Sequence, residues 1–201
     1  MKTTKLFFTL LLITFLYSCG VTINEQEIVD AFIGENEKLD MSKLIVGDKF
    51  QGGKIVYIYK VGDTGYKDKQ THGIIVALTD LANSYPWYNG FNIITGAKYE
   101  GIGQGLTNTT LIINSQGAGE YAARACMDLE SGGYSDWVLP TIDELNLLYE
   151  NKDIIGNFVL YSYWSSTEIN EDGSCGINFK DGKIYNYYKD GEAEVRPIRY
   201  F

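Results

Sequence analysis

The chain has 201 residues, 17 basic against 26 acidic, and a formal net charge of −9. That length suits one domain with a sizeable core plus a tether. The charge argues against nucleic acid, anionic lipid or sulfated polysaccharide as a simple electrostatic partner. A lone histidine, His72, and the lack of a Cys-x-x-Cys pair argue against a zinc site or a histidine-based triad.

The chain begins with a basic Met1-Lys2-Thr3-Thr4-Lys5, an apolar stretch from Leu6 to Leu16, and small residues before a cut site. This order describes a secretory signal peptide. About 11 apolar-rich residues are too few for a permanent span, which needs about 20. The ending Leu16-Tyr17-Ser18-Cys19 resembles the bacterial lipobox, in which the Cys thiol receives a diacylglycerol and becomes the new N-terminus. Residues 1–18 therefore read as a lipoprotein signal, Cys19 as the lipid attachment site, and the polar, acidic residues 19–45 as a tether. Loss of Lys2 and Lys5 makes the mature chain more negative by two. The expected location is the cell envelope, as an outer-membrane lipoprotein held by its lipid.

From residue 46 the chain reads as a folded domain. Gly53–Lys60 is a strand by β-branched and aromatic content, and His72–Leu78 is a continuous apolar run, as in a fully buried strand. Ser84 to Asn114 reads mostly as loop, long for a compact domain and of a kind that tends to carry function. Ala118, Tyr121, Ala122, Ala125, Cys126 and Leu129 recur at helical spacing and predict a helix from Ser115 to Glu130. Thr141-Ile142-Asp143-Glu144 predicts a capping box and a second helix up to Asn151. The C-terminal third reads as an antiparallel meander of Tyr161–Thr167, Gly176–Lys180, Lys183–Tyr188 and Glu194–Phe201. Asp181-Gly182 marks a hairpin, and Pro197 marks an edge or bulge. Strands, helices, then strands predict an α+β fold.

Gly132-Gly133-Tyr134-Ser135-Asp136-Trp137-Val138-Leu139-Pro140-Thr141, Asp143-Glu144-Leu145, Tyr163-Trp164-Ser165-Ser166-Thr167-Glu168 and the ending Val195–Phe201 form a recognisable set. Gly47-Asp48 with Gln51-Gly52-Gly53, and Gly101–Gly105 with Asn108-Thr109, fit with them. Together, over residues 46–201, they resemble the bacterial DUF1566 family, also named for the C-terminal domain of the Legionella collagen-like adhesin. The resemblance implies a C-type-lectin-like fold, with two helices flanking a small twisted antiparallel sheet and long loops carrying the ligand. Trp-x-Leu-Pro-Thr-x-x-Glu is also similar to the formylglycine-generating enzyme superfamily. The family's association with sulfated glycosaminoglycans is poorly matched by so acidic a chain. The short lectin signatures Glu-Pro-Asn, Gln-Pro-Asp and Trp-Asn-Asp are absent.

Trp87, Tyr88 and Asn89 combine aromatic faces with an amide, the chemistry sugar rings need, and form the candidate ligand site. The alternative is that Trp87 plugs the underside of the long loop. Asn170, Glu171 and Asp172 could help hold calcium, a hard cation that wants several oxygens; such triplets also occur as solvated turns. No other cofactor is implied. Cys126 and Cys175 are either a disulfide or two buried small hydrophobes. Trp137 and Trp164 read as core, and Arg196 and Arg199 as partners of Glu168 or Glu194. Neither paired carboxylates nor a Ser-His-Asp set is apparent, so the reading is a non-catalytic binding or adhesion module for a glycan. A protein partner or structural envelope role is the alternative, and an enzyme related to the formylglycine generators a third.

Overall fold

The computed structural model describes residues 40–201. The signal segment, Cys19 and most of the 19–45 tether lie outside the described residues. Three antiparallel sheets, four α-helices and a single 3-10 turn at Met41–Lys43 make up the regular structure of the described part. In chain order they are β1 (Lys49–Phe50), β2 (Gly53–Ile58), β3 (Gly73–Ala77), β4 (Tyr85–Pro86), α1 (Gly105–Gln116), α2 (Ala122–Met127), α3 (Ile142–Glu150) and α4 (Lys152–Ile155). The remaining strands are β5 (Ser162–Glu168), β6 (Gly173–Asn178), β7 (Lys183–Tyr188), β8 (Glu192–Ala193) and β9 (Ile198–Tyr200). The class is α+β as expected, but the single expected sheet is divided in three: β1-β2-β3-β9, β4-β8 and β5-β6-β7.

The apolar run at β3 is buried at every position, because β2 and β9 flank it and both its faces are covered. The last strand departs from the expected meander. β9 leaves β7 and pairs with β3, Ile75 opposite Arg199, so the C-terminal run closes the first sheet. Pro197 sits just before β9, at that sheet's edge, where a missing N–H costs no ladder bond. β7 consequently pairs only with β6 among the described residues.

The predicted helix over Ser115–Glu130 is two shorter helices with a break. Gly117 ends α1 at a φ of +75°, a conformation glycine adopts without strain, and α2 begins only at Ala122. α1 itself falls in the segment read as loop. Its buried face is Gly105, Asn108, Thr109, Ile112 and Gln116, mostly polar, so no apolar periodicity marks it. Those polar groups are satisfied inside: Asn108 bonds Tyr99 and Ser166, and Thr109 bonds the Leu139 backbone.

α3 follows the sequence closely. The Thr141 hydroxyl accepts from Glu144 N–H at 3.2 Å, and Glu144 accepts from Thr141 N–H at 2.8 Å, completing the capping box. Its apolar stripe, Ile142, Leu145 and Leu148, packs with Val56, Ile74 and Val76 of the first sheet and Tyr163, Ile177 and Phe179 of the second. A second cluster joins Ile112, Tyr121, Cys126, Leu139, Trp87 and Trp164, and a third sets Trp137 against Ile55 and Ile75. Trp137 and Trp164 are core residues, as expected.

Candidate functional site

The structure places Trp87 inside the molecule rather than on a binding face. The ring is fully buried, and its Nε1–H donates to the Ser165 carbonyl at 2.9 Å. Tyr88 is half-buried against the same cluster. The Asn89 amide donates to the carbonyls of Gln116 and Ala118, which closes the C-terminal end of α1. The triplet read as a sugar platform is thus a staple between loop and helix. An aromatic of that size gains most from complete burial once a partner for its N–H is available.

Behind Trp87 lies a buried ion pair. The Lys189 ammonium donates to Glu168 at 2.7 Å and to the Ile93 carbonyl at 3.0 Å, and sits 4.6 Å from the centre of the Trp87 ring. Neither side chain reaches solvent. Glu168 also accepts from Thr95 N–H, the Thr95 hydroxyl and Gly96 N–H. Burial pushes the Glu168 carboxyl up, but Lys189 and the two backbone N–H groups hold it below its ordinary value. This network fixes residues 93–97 onto β5.

Tyr188, next to Lys189, projects the other way and is 77 % exposed. It lines an open pocket of about 360 Å³ together with Asn170, Asp172, Gly173 and Asn186. The β5–β6 loop forms one wall: Asn170 Oδ1 accepts from Asp172 N–H and Gly173 N–H, a local turn that shapes the hairpin. The floor needs glycine at 173, because a Cβ there would come within 2.4 Å of the Asn186 amide oxygen. Asp172 accepts from the Asn92 amide at 2.8 Å, which ties the residue 87–97 loop to the pocket rim. Phe91, beside Asn92, is 68 % exposed. Two of the residues read as a calcium triplet are therefore pocket wall, with Asn170 Oδ1 and Asp172 Oδ1 bonded as described. Glu171 does not line the pocket, and among the described residues no three His, Cys, Asp or Glu converge as a metal site.

A family model described as the Lcl C-terminal domain matches residues 78–199. The chain belongs to that family. No curated protein sequence matches it. A solved structure with similar architecture is a fimbrial protein from Bacteroides ovatus, at 12% sequence identity and a TM-score of 0.53. The similarity covers 78% of this chain and 45% of that one, and it speaks to the fold alone.

In this Lcl C-terminal domain the motif residues are mostly structural. Arg196 is buried and pairs with Asp80 at 2.6 Å, and it also donates to the carbonyls of Ala77 and Asn157. Arg199 grips Asp136 with two bonds, at 2.6 and 2.8 Å, and lies over the Tyr134 ring. The expected partners Glu168 and Glu194 are instead taken by Lys189 and by the Ser84 hydroxyl. Glu194 stands two residues before Arg196 but turns toward Ser84, and Asp80 and Asp136, just outside β3 and just before the Val138–Ile198 bridge, take the two arginines. The two cysteines are free thiols, not a disulfide. Cys126 is buried in α2 and its pKa is pushed well up by burial; Cys175 is half-buried on β6, raised by burial and by the Glu100 charge. Raised pKa values leave little thiolate at neutral pH, so both are poor nucleophiles.

Tyr188 and Asn186 were not singled out by sequence. The signal was present in Lys183-Ile184-Tyr185-Asn186-Tyr187-Tyr188, an aromatic run whose residues are nearly all exposed. A fourth meander strand on β7 would have covered it, and β9 goes elsewhere.

Proposed function

We propose that this chain is a lipid-anchored surface lipoprotein whose C-type-lectin-like domain is a non-catalytic adhesion module for a glycan. Cys19 is the anchor, and the segment up to residue 45 gives the domain reach. Membership of the Lcl C-terminal domain family supports a surface binding role, and the fimbrial protein as structural neighbour agrees with it. The observation that carries the glycan reading is Tyr188, an aromatic face held out in solvent beside two amides and a carboxylate. Sugar rings present apolar C–H faces that stack on such a ring, while their hydroxyls bond amides and carboxylates. The net charge of −9 favours glycans without sulfate or carboxylate groups.

A glycan array probed with the full-length protein tests this. Specific binding should be lost in Tyr188→Ala while the far-UV spectrum and melting temperature stay put. A clean array from a folded sample overturns the reading.

A protein partner is the second reading, favoured by β7. That edge strand exposes Ile184 at 57 % and Tyr185 at 40 %, and it is unpaired on its outer side among the described residues. Such an edge can accept an added strand. A pull-down that survives Tyr188→Ala but fails with Ile184→Lys would favour it.

A further inference from the structure

Building on the glycan reading, we infer that the Tyr188 pocket selects sugars bearing a free, protonated amine. The groups around it share one electrostatic preference. The Tyr188 ring offers a negative π-face, Asp172 brings a full carboxylate, and the Asn186 amide oxygen leans over Gly173 at the floor. A hydroxyl can bond these acceptors, but an ammonium gains the charge at each of them.

Nothing in the wall neutralises the carboxylate. Asp172 accepts from the uncharged Asn92 amide, and its backbone carbonyl takes the Lys189 N–H. The ammonium of Lys189 is turned inward, bound to Glu168 and the Ile93 carbonyl and closed off from solvent. Its charge is spent in the core, so the outer side of the strand keeps a negative potential. Glu171 and Asp190 are exposed neighbours in sequence on either side and reinforce it. The same potential repels sulfated and uronic polymers. The ligand class is a sugar rather than a lysine side chain because the pocket is lined by the Tyr188 ring together with the amides of Asn170 and Asn186. An aromatic face with amides near it suits a pyranose, which presents C–H groups and hydroxyls together, whereas a flexible alkyl amine uses only the charge.

The test uses three β-1,4 oligosaccharides that differ only at the second carbon: a free amine (chitosan oligomer), an acetamide (chitin oligomer) and a hydroxyl (cello-oligomer). Binding of each to the full-length protein is measured by calorimetry at mildly acidic pH, where the amine is charged. The expected result is a preference of about fivefold for the amine, the worth of one exposed ion pair. Asp172→Asn should erase that preference, and Tyr188→Ala should weaken all three ligands. Glu150→Gln, which changes an exposed carboxylate on α3, should keep it. Equal binding of the three, or a preference that survives Asp172→Asn, overturns the inference and leaves the glycan reading standing. Binding of none of the three, or of any other array sugar, to folded protein overturns both. Equal competition by an oligolysine overturns the sugar class.

Discussion

Tyr188 and Lys189 are consecutive residues that end on opposite sides of the same strand end, and their fates are reversed from what residue type suggests. The lysine, which normally seeks water, is fully buried; the tyrosine, which normally fills a core, is 77 % exposed. Inside, the charge is acceptable because Glu168, the Ile93 carbonyl and the Trp87 ring surround it. Outside, Tyr188 belongs to none of the three packed clusters, whereas Tyr187 beside it packs edge-on against Trp164. A buried polar group with all its partners present points to structure; an exposed aromatic is ordinary by itself, and Tyr188 bears on recognition through the pocket it lines. The inner side also supports the outer one, since it holds the loop whose Asn92 meets Asp172 at the pocket rim.

The largest predicted effect breaks the inner side by removing one charge. Lys189→Met leaves Glu168 buried without its counter-ion and should destabilise the domain by about 3–5 kcal/mol in urea unfolding. The double variant Lys189→Met/Glu168→Gln removes both charges and should recover most of that loss. If the single variant is neutral, the pair does not hold the loop. Trp87→Ala opens a cavity in the same place and should also cost about 3–5 kcal/mol, a loss of fold rather than of ligand contacts.

Acid sharpens the comparison through two buried glutamates. Glu168 titrates below its ordinary value of 4.5, so the stability it contributes is fully present above that pH and is lost as pH falls through the folded value. Glu144 is shifted the other way. Burial outweighs its bonds to Thr141, Tyr200 and Gly103 and raises its pKa. Its contribution is therefore present below pH 4.5 and is lost as pH rises through the raised value. Urea midpoints measured against pH should fall below about pH 4.5 in the wild type, and fall less in the Lys189→Met/Glu168→Gln variant. An unchanged acid limb in that variant would assign the acid loss to other carboxylates.

The capping box of α3 gives a smaller effect. Thr141→Ala removes the acceptor of Glu144 N–H and should cost about 1 kcal/mol in the same unfolding assay.

These contrasts also show what the sequence could reveal. The Thr141–Glu144 box, the β3 run and the Asp181-Gly182 turn were legible because each is a local pattern with a local cause. α1 was hidden because its inner face is built of Asn108, Thr109 and Gln116, whose burial depends on partners far along the chain. The arginine pairings failed for the same reason: Arg196 meets Asp80 only after β9 has crossed to β3. At the site, Trp87-Tyr88-Asn89 had the right chemistry, but composition does not say which aromatic the core will claim. Of the Asn170–Asp172 loop, read as a calcium triplet, Asn170 and Asp172 line the open pocket beside Tyr188.

The smallest predicted effect on stability is the most telling for function. Tyr188 is 77 % exposed, so Tyr188→Ala removes little buried area, and the unfolding free energy should change by no more than a surface substitution allows, within about 0.5 kcal/mol. Cross-strand contact is limited as well, since Gly173 is its partner across the ladder. If the variant instead unfolds readily, Tyr188 belongs to the packing of the β5–β6 loop and the two sides of the strand are one structural unit. If it stays folded and loses its ligand, the exposed aromatic is there for recognition, and the buried charge behind it is the support that keeps the pocket rim in place.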